Sequence, residues 1–179
     1  MRIVRIILMV SGPLLGQRQL TGATMRLKFL CNTHRQTLLN DTAAARSLWL
    51  DLHTRLTAEQ PVPTPARVRQ AGTALEAAGI YLMANPAADA GLLRRYQETA
   101  QQLIQLLVQL RQTRLAIVVI AGASALVEHL ARNGADRQAA LDACRQLTLR
   151  GMGQLEETMV GRAATRRLSP VAVHSATLH

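Results

Sequence analysis

Aromatic side chains are almost missing from this chain: Phe29, Trp49, Tyr81 and Tyr96 are the only ones in 179 residues. Their scarcity removes the stacking platforms on which single-strand nucleic-acid binders rely. In their place stand 29 Leu and 28 Ala, a balance that favours helix over sheet and all but excludes an all-β protein. Cysteine is scarce too. Cys31 and Cys144 cannot build a disulfide framework, so a cytoplasmic location is expected. Long apolar runs are also wanting. The most apolar segment, Leu115 to Val127, has 13 residues, where a bilayer span needs about 20. Glu128, His129 and Arg132 close it off, so it reads as a buried helix and no transmembrane helix is expected.

Acidic residues are absent from both ends, and this explains the net charge of +10. Residues 1–40 carry six basic residues (Arg2, Arg5, Arg18, Arg26, Lys28, Arg35) and residues 160–179 carry three (Arg162, Arg166, Arg167), with no acid in either stretch. Between them, 12 basic residues meet all 11 acids, a net charge of +1. The high pI therefore belongs to the ends, and nucleic acid is not expected as the main partner of the central domain.

The ends also lack helical patterning. Residues 1–16, MRIVRIILMVSGPLLG, imitate a signal peptide, but the apolar run from Ile6 to Val10 is short and no clean small-x-small site follows. Met25 offers a second start, after which patterning is continuous, so residues 1–24 are expected to lie outside the core. The tail from Gly161 has no apolar period and contains Pro170, and is expected to be disordered. Residues 25–160 form the expected single domain.

What fills that domain is helical punctuation. A short helix over about Asn32 to Leu39 precedes Asp41, an N-cap for a helix with Ala45, Leu48, Trp49, Leu52 and Leu56 on one face, ending before Pro61. Thr64 caps the next, with Pro65 in its first turn and Asn85-Pro86 at its end. Its stripe includes Gly72 and Gly79, a close-packing face for a neighbouring helix. Asp89 caps a helix whose apolar face is Leu92, Leu93, Tyr96, Ala100, Leu103, Ile104, Leu107 and Leu110. A break is placed around Arg111 to Arg114 on length alone, since one helix over 90–132 would be about 65 Å long. Asn133-Gly134 stops the following helix. Asp136 caps the last, with Ala140, Leu141, Cys144, Leu147 and Leu155 inward and fraying through Gly151 and Gly153. The fold expected is all-α, an array of antiparallel amphipathic helix hairpins or a compact helical bundle.

Chemistry-bearing patterns are sparse. Cys31 and His34 have C-x-x-H spacing, the candidate metal pair, but two more ligands are needed and none forms a second close pair. There is no G-x-S-x-G and no glycine-rich phosphate loop. Ser124 and His129 fall on different helical faces, Cys144 lies in an apolar stripe, and Glu156 and Glu157 read as solvated. Arg166-Arg167-Leu168-Ser169 resembles a basic phosphorylation motif and reads as a solvated tail. No catalytic residue and no cofactor is expected. The most informative surface is the face with Gln97, Gln101 and Gln105 at four-residue spacing, beside Arg94 and Glu98. It reads either as solvated or as the polar floor of a groove for a peptide or partner helix.

The stretches MRLKFLCNTHRQTLLNDTAAARSLWLDLHTRL, QAGTALEAAGIYLMANPA and ETAQQLIQLLVQL together resemble small bacterial tetratricopeptide-like helical proteins, over residues 25–150 and by rhythm; Leu52 follows Trp49, and His53 stands where the repeat carries Gly. The resemblance implies stacked helix pairs acting as a protein-binding scaffold, with no catalytic residues. The function expected is a non-enzymatic scaffold that binds a protein or peptide between helix pairs. The alternatives are a self-associating bundle, forming a homodimer or acting as a secretion-type chaperone, and a peripheral nucleic-acid or membrane binder working through its basic termini.

Overall fold

Short polar side chains start most of the helices by taking up free backbone N–H groups. The computed structural model describes residues 28–58 and 62–167, with side chains as far as residue 157. Its helices are α1 (Asn32–Asn40), α2 (Thr42–Ala58), α3 (Pro65–Ala84), α4 (Ala90–Gln109), α5 (Thr113–Arg132) and α6 (Arg137–Arg167), with no strand among the described residues. Asp41 accepts from Ala44 N at 2.9 Å, Thr64 from Arg67 N at 3.1 Å, Asp89 from Leu92 N at 2.8 Å and Asp136 from Ala139 N at 2.9 Å. All four caps expected from the sequence are made.

The break between α4 and α5 falls where helix length required it, although no glycine marks it. Arg111 takes the left-handed conformation, φ 59°. Arg111 N donates to Val108 O at 2.9 Å and Gln112 N to Leu107 O at 2.7 Å, the paired bonds of a Schellman ending. The next stop uses the expected glycine. Gly134 has φ 111°, and Ala135 N donates to Leu130 O at 3.1 Å.

Successive helices pack against one another from α1 through α6, and further contacts between non-successive helices set the layers. α4 also touches α2 and α6, and α3 touches α5. Helices α2, α4 and α6 therefore form one layer and α3 and α5 the other, with α1 laid on α2 and α3. The central helix α4 touches four others, and its buried set extends past the expected stripe to Thr99, Leu106 and Val108. The all-α architecture is the one expected. A compact apolar core runs through it, with Trp49, Leu82, Leu93, Leu103, Leu107, Val127, Leu130 and Leu147 fully enclosed.

Several expectations are corrected. Leu141 does not face inward: its side of α6 looks outward and the residue is 54% exposed, while Ala140, Ala143, Leu147, Gly151 and Leu155 make the buried face. Nor does α6 fray at Gly151 and Gly153. It continues to Arg167, into the tail expected to begin at Gly161. Gly151 is buried because a Cβ there would stand 2.6 Å from Ile120 Cδ1, so this glycine is the close-approach point between α5 and α6. Gly72 admits no neighbouring helix. Its missing Cβ leaves the space for the ring of Phe29, from the segment ahead of α1. Gly79, also in α3, is buried. Finally, α5 has 20 residues, longer than the 13-residue apolar segment, and by length and composition alone it could cross a membrane; its inner face is packed into the core. The expectations for residues 1–24, for the approach to Pro61, and for the tail beyond Arg167 lie outside the described residues.

Candidate functional site, a polar floor on α4

The glutamine face of α4 occupies a particular place in the two layers. Helices α2 and α6 each touch α4 and do not touch each other among the described residues, so they form two walls and the outer face of α4 forms the floor between them. Gln97, Gln101, Gln102 and Gln105 are half-buried there, rather than fully solvated. Arg94 and Glu98 form the outermost pair, Arg94 Nε to Glu98 Oε1 at 3.0 Å. The five residues singled out in the sequence, Arg94, Gln97, Glu98, Gln101 and Gln105, thus share one surface by helical spacing.

On the α6 side, Arg150 Nη1 donates to Gln101 Oε1 at 3.5 Å. That contact fixes the orientation of the amide, since a flipped group would set its NH₂ against a guanidinium. Gln101 Nε2 is then left buried with no hydrogen-bond partner, and Gln102 Oε1 is in the same condition. A buried polar atom without a partner costs about 1–3 kcal/mol.

On the α2 side the floor is locked by a buried cluster. Trp49 Nε1 donates to Thr99 Oγ1 at 3.1 Å, Thr99 Oγ1 donates to Arg95 O at 2.8 Å, and His53 Nδ1 lies 3.1 Å from the same hydroxyl. His53 Nε2 stands 3.5 Å from Glu98 Oε2. A hydroxyl has one proton, and here it goes to the Arg95 carbonyl, so Nδ1 carries the imidazole proton and Nε2 presents a lone pair toward Glu98. Burial lowers the His53 pKa; the Glu98 carboxylate opposes that shift and the Arg95 charge adds to it. Threonine, histidine and glutamate are the residue types of a hydrolytic triad. Yet Thr99 is 0% exposed and its hydroxyl is fully engaged, so it cannot reach a substrate. The cluster fastens α2 to α4. The i, i+4 and i, i+1 relations of His53, Glu98 and Thr99 to their own helices gave no sign of it, because the contact is made between helices.

A second cluster was also missed. Glu76 on α3 is buried, and its Oε2 accepts from Phe29 N and Leu30 N, each at 2.9 Å, while Oε1 pairs with Arg35 of α1. A signal for it does exist in the sequence: Glu76 falls four residues after Gly72, a charge inside an apolar stripe.

Cys31 and His34 do come together, Sγ to Nδ1 at 3.0 Å, at the exposed start of α1. The Cys31 side chain serves here as a helix cap: its Sγ accepts from His34 N at 3.5 Å. No group of three or more His, Cys, Asp or Glu side chains suited to a metal occurs among the described residues. Cys144 is half-buried, its thiol pushed up by burial and by Glu128, and it donates to Ser124 O at 3.6 Å. Such a thiol is a packing group rather than a nucleophile. Compared with family models, curated proteins and solved structures, the chain matches none.

Proposed function

We propose that this protein is a non-enzymatic cytoplasmic scaffold that binds a protein or peptide segment over α4, between the walls of α2 and α6. The observation that carries the reading is the ridge of half-buried glutamines, Gln97, Gln101 and Gln105, that lines the floor between α2 and α6. Side-chain amides at four-residue spacing, each carrying a donor and an acceptor, suit a segment that supplies the opposite groups. Arg94 and Glu98, at the outer rim, would fix the register of the incoming segment through charge. The helix-hairpin rhythm shared with tetratricopeptide-like scaffolds supports the same reading.

The test is site-specific photocrosslinking in the source cells, with the crosslinker at Gln105 on the floor or at the exposed Arg69 of α3 as control. The expected outcome is a discrete adduct from Gln105 that is absent from Arg69 and is lost on adding Gln101→Ala and Gln102→Ala. Equal labelling from both positions, or no discrete adduct from Gln105, would overturn the reading.

A further inference from the structure

A single residue separates α1 from α2. Asp41 (φ −130°, ψ 89°) stands between Asn40 and Thr42 outside the helical region, and the backbone ladder runs up to it on both sides. Asp41 N donates to Thr37 O at 3.0 Å, as in an unbroken helix, and the bonds resume with Ala45 N to Asp41 O at 3.1 Å. Three N–H groups interrupt the run, those of residues 42, 43 and 44. The last of them is met by Asp41 Oδ1 at 2.9 Å. Turning Asp41 into the helical region would give all three a carbonyl partner in α1, for the loss of that one cap bond. Residues 32–58 would then form one helix about 40 Å long. Asp41 is exposed, so the change needs no room inside the core.

What opposes straightening is the attachment of residues 28–40, the arm, to α3. That attachment is specific. The Phe29 ring fills the space left by Gly72, Glu76 Oε2 accepts from Phe29 N and Leu30 N, and Glu76 Oε1 pairs with Arg35. Leu30 and Leu38 are buried along with it. A straight hinge carries all of these groups away from their own α3. An opened copy would expose the two leucines and the ring, and would leave the buried Glu76 carboxylate without its donors. A second opened copy removes both penalties, because its arm offers the same ring, the same two N–H groups and the same guanidinium.

We propose that residues 28–40 are an exchangeable arm, and that two copies of this chain form a dimer in which each arm docks at Gly72 and Glu76 on α3 of the other, with both hinges at Asp41 straightened. Every arm contact is kept, now between copies, and the two-fold relation makes the two exchanges identical. Each hinge trades one cap bond for backbone bonds. The entropy of association stands against the exchange, so the dimer grows with concentration. Interconversion is slow, because the arm must leave one α3 before it can dock on another. The exchange uses no residue of the α4 floor and stands independently of the scaffold reading.

The experiment is size-exclusion chromatography with light scattering on the full chain, equilibrated over a wide range of concentrations. The expected result is a species of 19.5 kDa and one of twice that mass, the second rising with concentration and persisting for a time after dilution. Asp41→Ala removes the cap and supplies a better helix former. Each dimer contains two hinges, so its association constant should rise about tenfold or more. Thr42→Pro acts in the opposite direction. At the first position of α2 a proline is tolerated, whereas in a continuous helix its ring would meet the Leu38 carbonyl. The variant should stay monomeric, with or without Asp41→Ala, and keep the helix content of the parent by circular dichroism. If the proline prevents folding, Thr42→Gly should lower the dimer fraction by a smaller factor, since glycine also disfavours a continuous helix. A parent that stays monomeric at all concentrations overturns the proposal. So does a dimer that Asp41→Ala fails to raise or that the substitution at Thr42 fails to lower, which would place the contact on another surface.

Discussion

Glu76 Oε2 accepts the backbone N–H of Leu30 at 2.9 Å, across 46 residues of sequence. A second bond of the same length from Phe29 N and the ion pair with Arg35 make this carboxylate the anchor of the segment leading into α1. The two N–H groups belong to the residues just ahead of a helix start, where no backbone partner exists for them. Replacing Glu76 by Ala leaves both donors and the guanidinium without a partner. The expected loss is about 2–3 kcal/mol, discounted for the partial exposure of Arg35. It would be read from urea midpoints by the fluorescence of Trp49, the single tryptophan. Glu76→Gln should recover part of the loss, because an amide oxygen can still accept one of the N–H groups. Equal stability of Glu76→Ala and the parent would show that α1 is not anchored this way.

Gly72 and Phe29 provide a companion prediction whose sign depends on background. An alanine Cβ at 72 would stand 2.2 Å from ring atoms of Phe29, so the whole ring must leave. Gly72→Ala should therefore destabilise the parent by about 1–3 kcal/mol despite the helical preference for Ala. In a Phe29→Ala background the obstruction is gone. There the same substitution should stabilise by up to about 1 kcal/mol. A destabilising effect in both backgrounds would mean that another group occupies the space.

Arg111 is held at φ 59° with its ending bonds satisfied. A side chain in this left-handed conformation costs about 1 kcal/mol, and glycine carries no such cost. Arg111→Gly is expected to raise stability by about 0.5–1 kcal/mol, measurable as a higher urea midpoint at unchanged slope. An unchanged or lower midpoint would indicate that the guanidinium makes up for the strain.

The same residue shows where sequence reading reached its end. Caps, prolines and apolar periods act through neighbours in the chain, and from them the helices and their all-α packing were legible; the break at Arg111 required only the length argument. Leu141 was misplaced because a multi-helix core buries a wider or narrower sector of a helix according to how many helices touch it, which a single helix does not reveal. Gly72 and Gly151 each mark a close approach. What approaches them, a ring from an irregular segment in one case and an isoleucine in the other, depends on contacts distant in sequence. On the candidate site, the glutamine ridge was legible from four-residue spacing. Its half-burial between α2 and α6 was not, nor was the lock that Trp49 and His53 make with Thr99.

That lock carries the last prediction, a pH dependence. In the folded chain His53 is neutral at higher pH, with Nδ1–H on Thr99 Oγ1 and its pKa lowered chiefly by burial. In the unfolded chain an imidazole has a pKa of about 6.5. As pH falls through that value the unfolded state takes up a proton that the folded state still refuses, so folding becomes less favourable. The loss continues until pH reaches the depressed folded value, below which both states are protonated and His53 contributes no further slope. The contribution is therefore fully present above about pH 6.5 and is lost on acidification. The measurement is the difference in unfolding free energy between the parent and His53→Gln at closely spaced pH values from 8 to about 4, which cancels the titration of groups common to both. The parent should lose stability relative to the variant as pH drops below 6.5. A parent that gains stability relative to the variant over that range would mean that protonated His53, paired with Glu98 at 3.5 Å, outweighs burial, and that the lock tightens in acid.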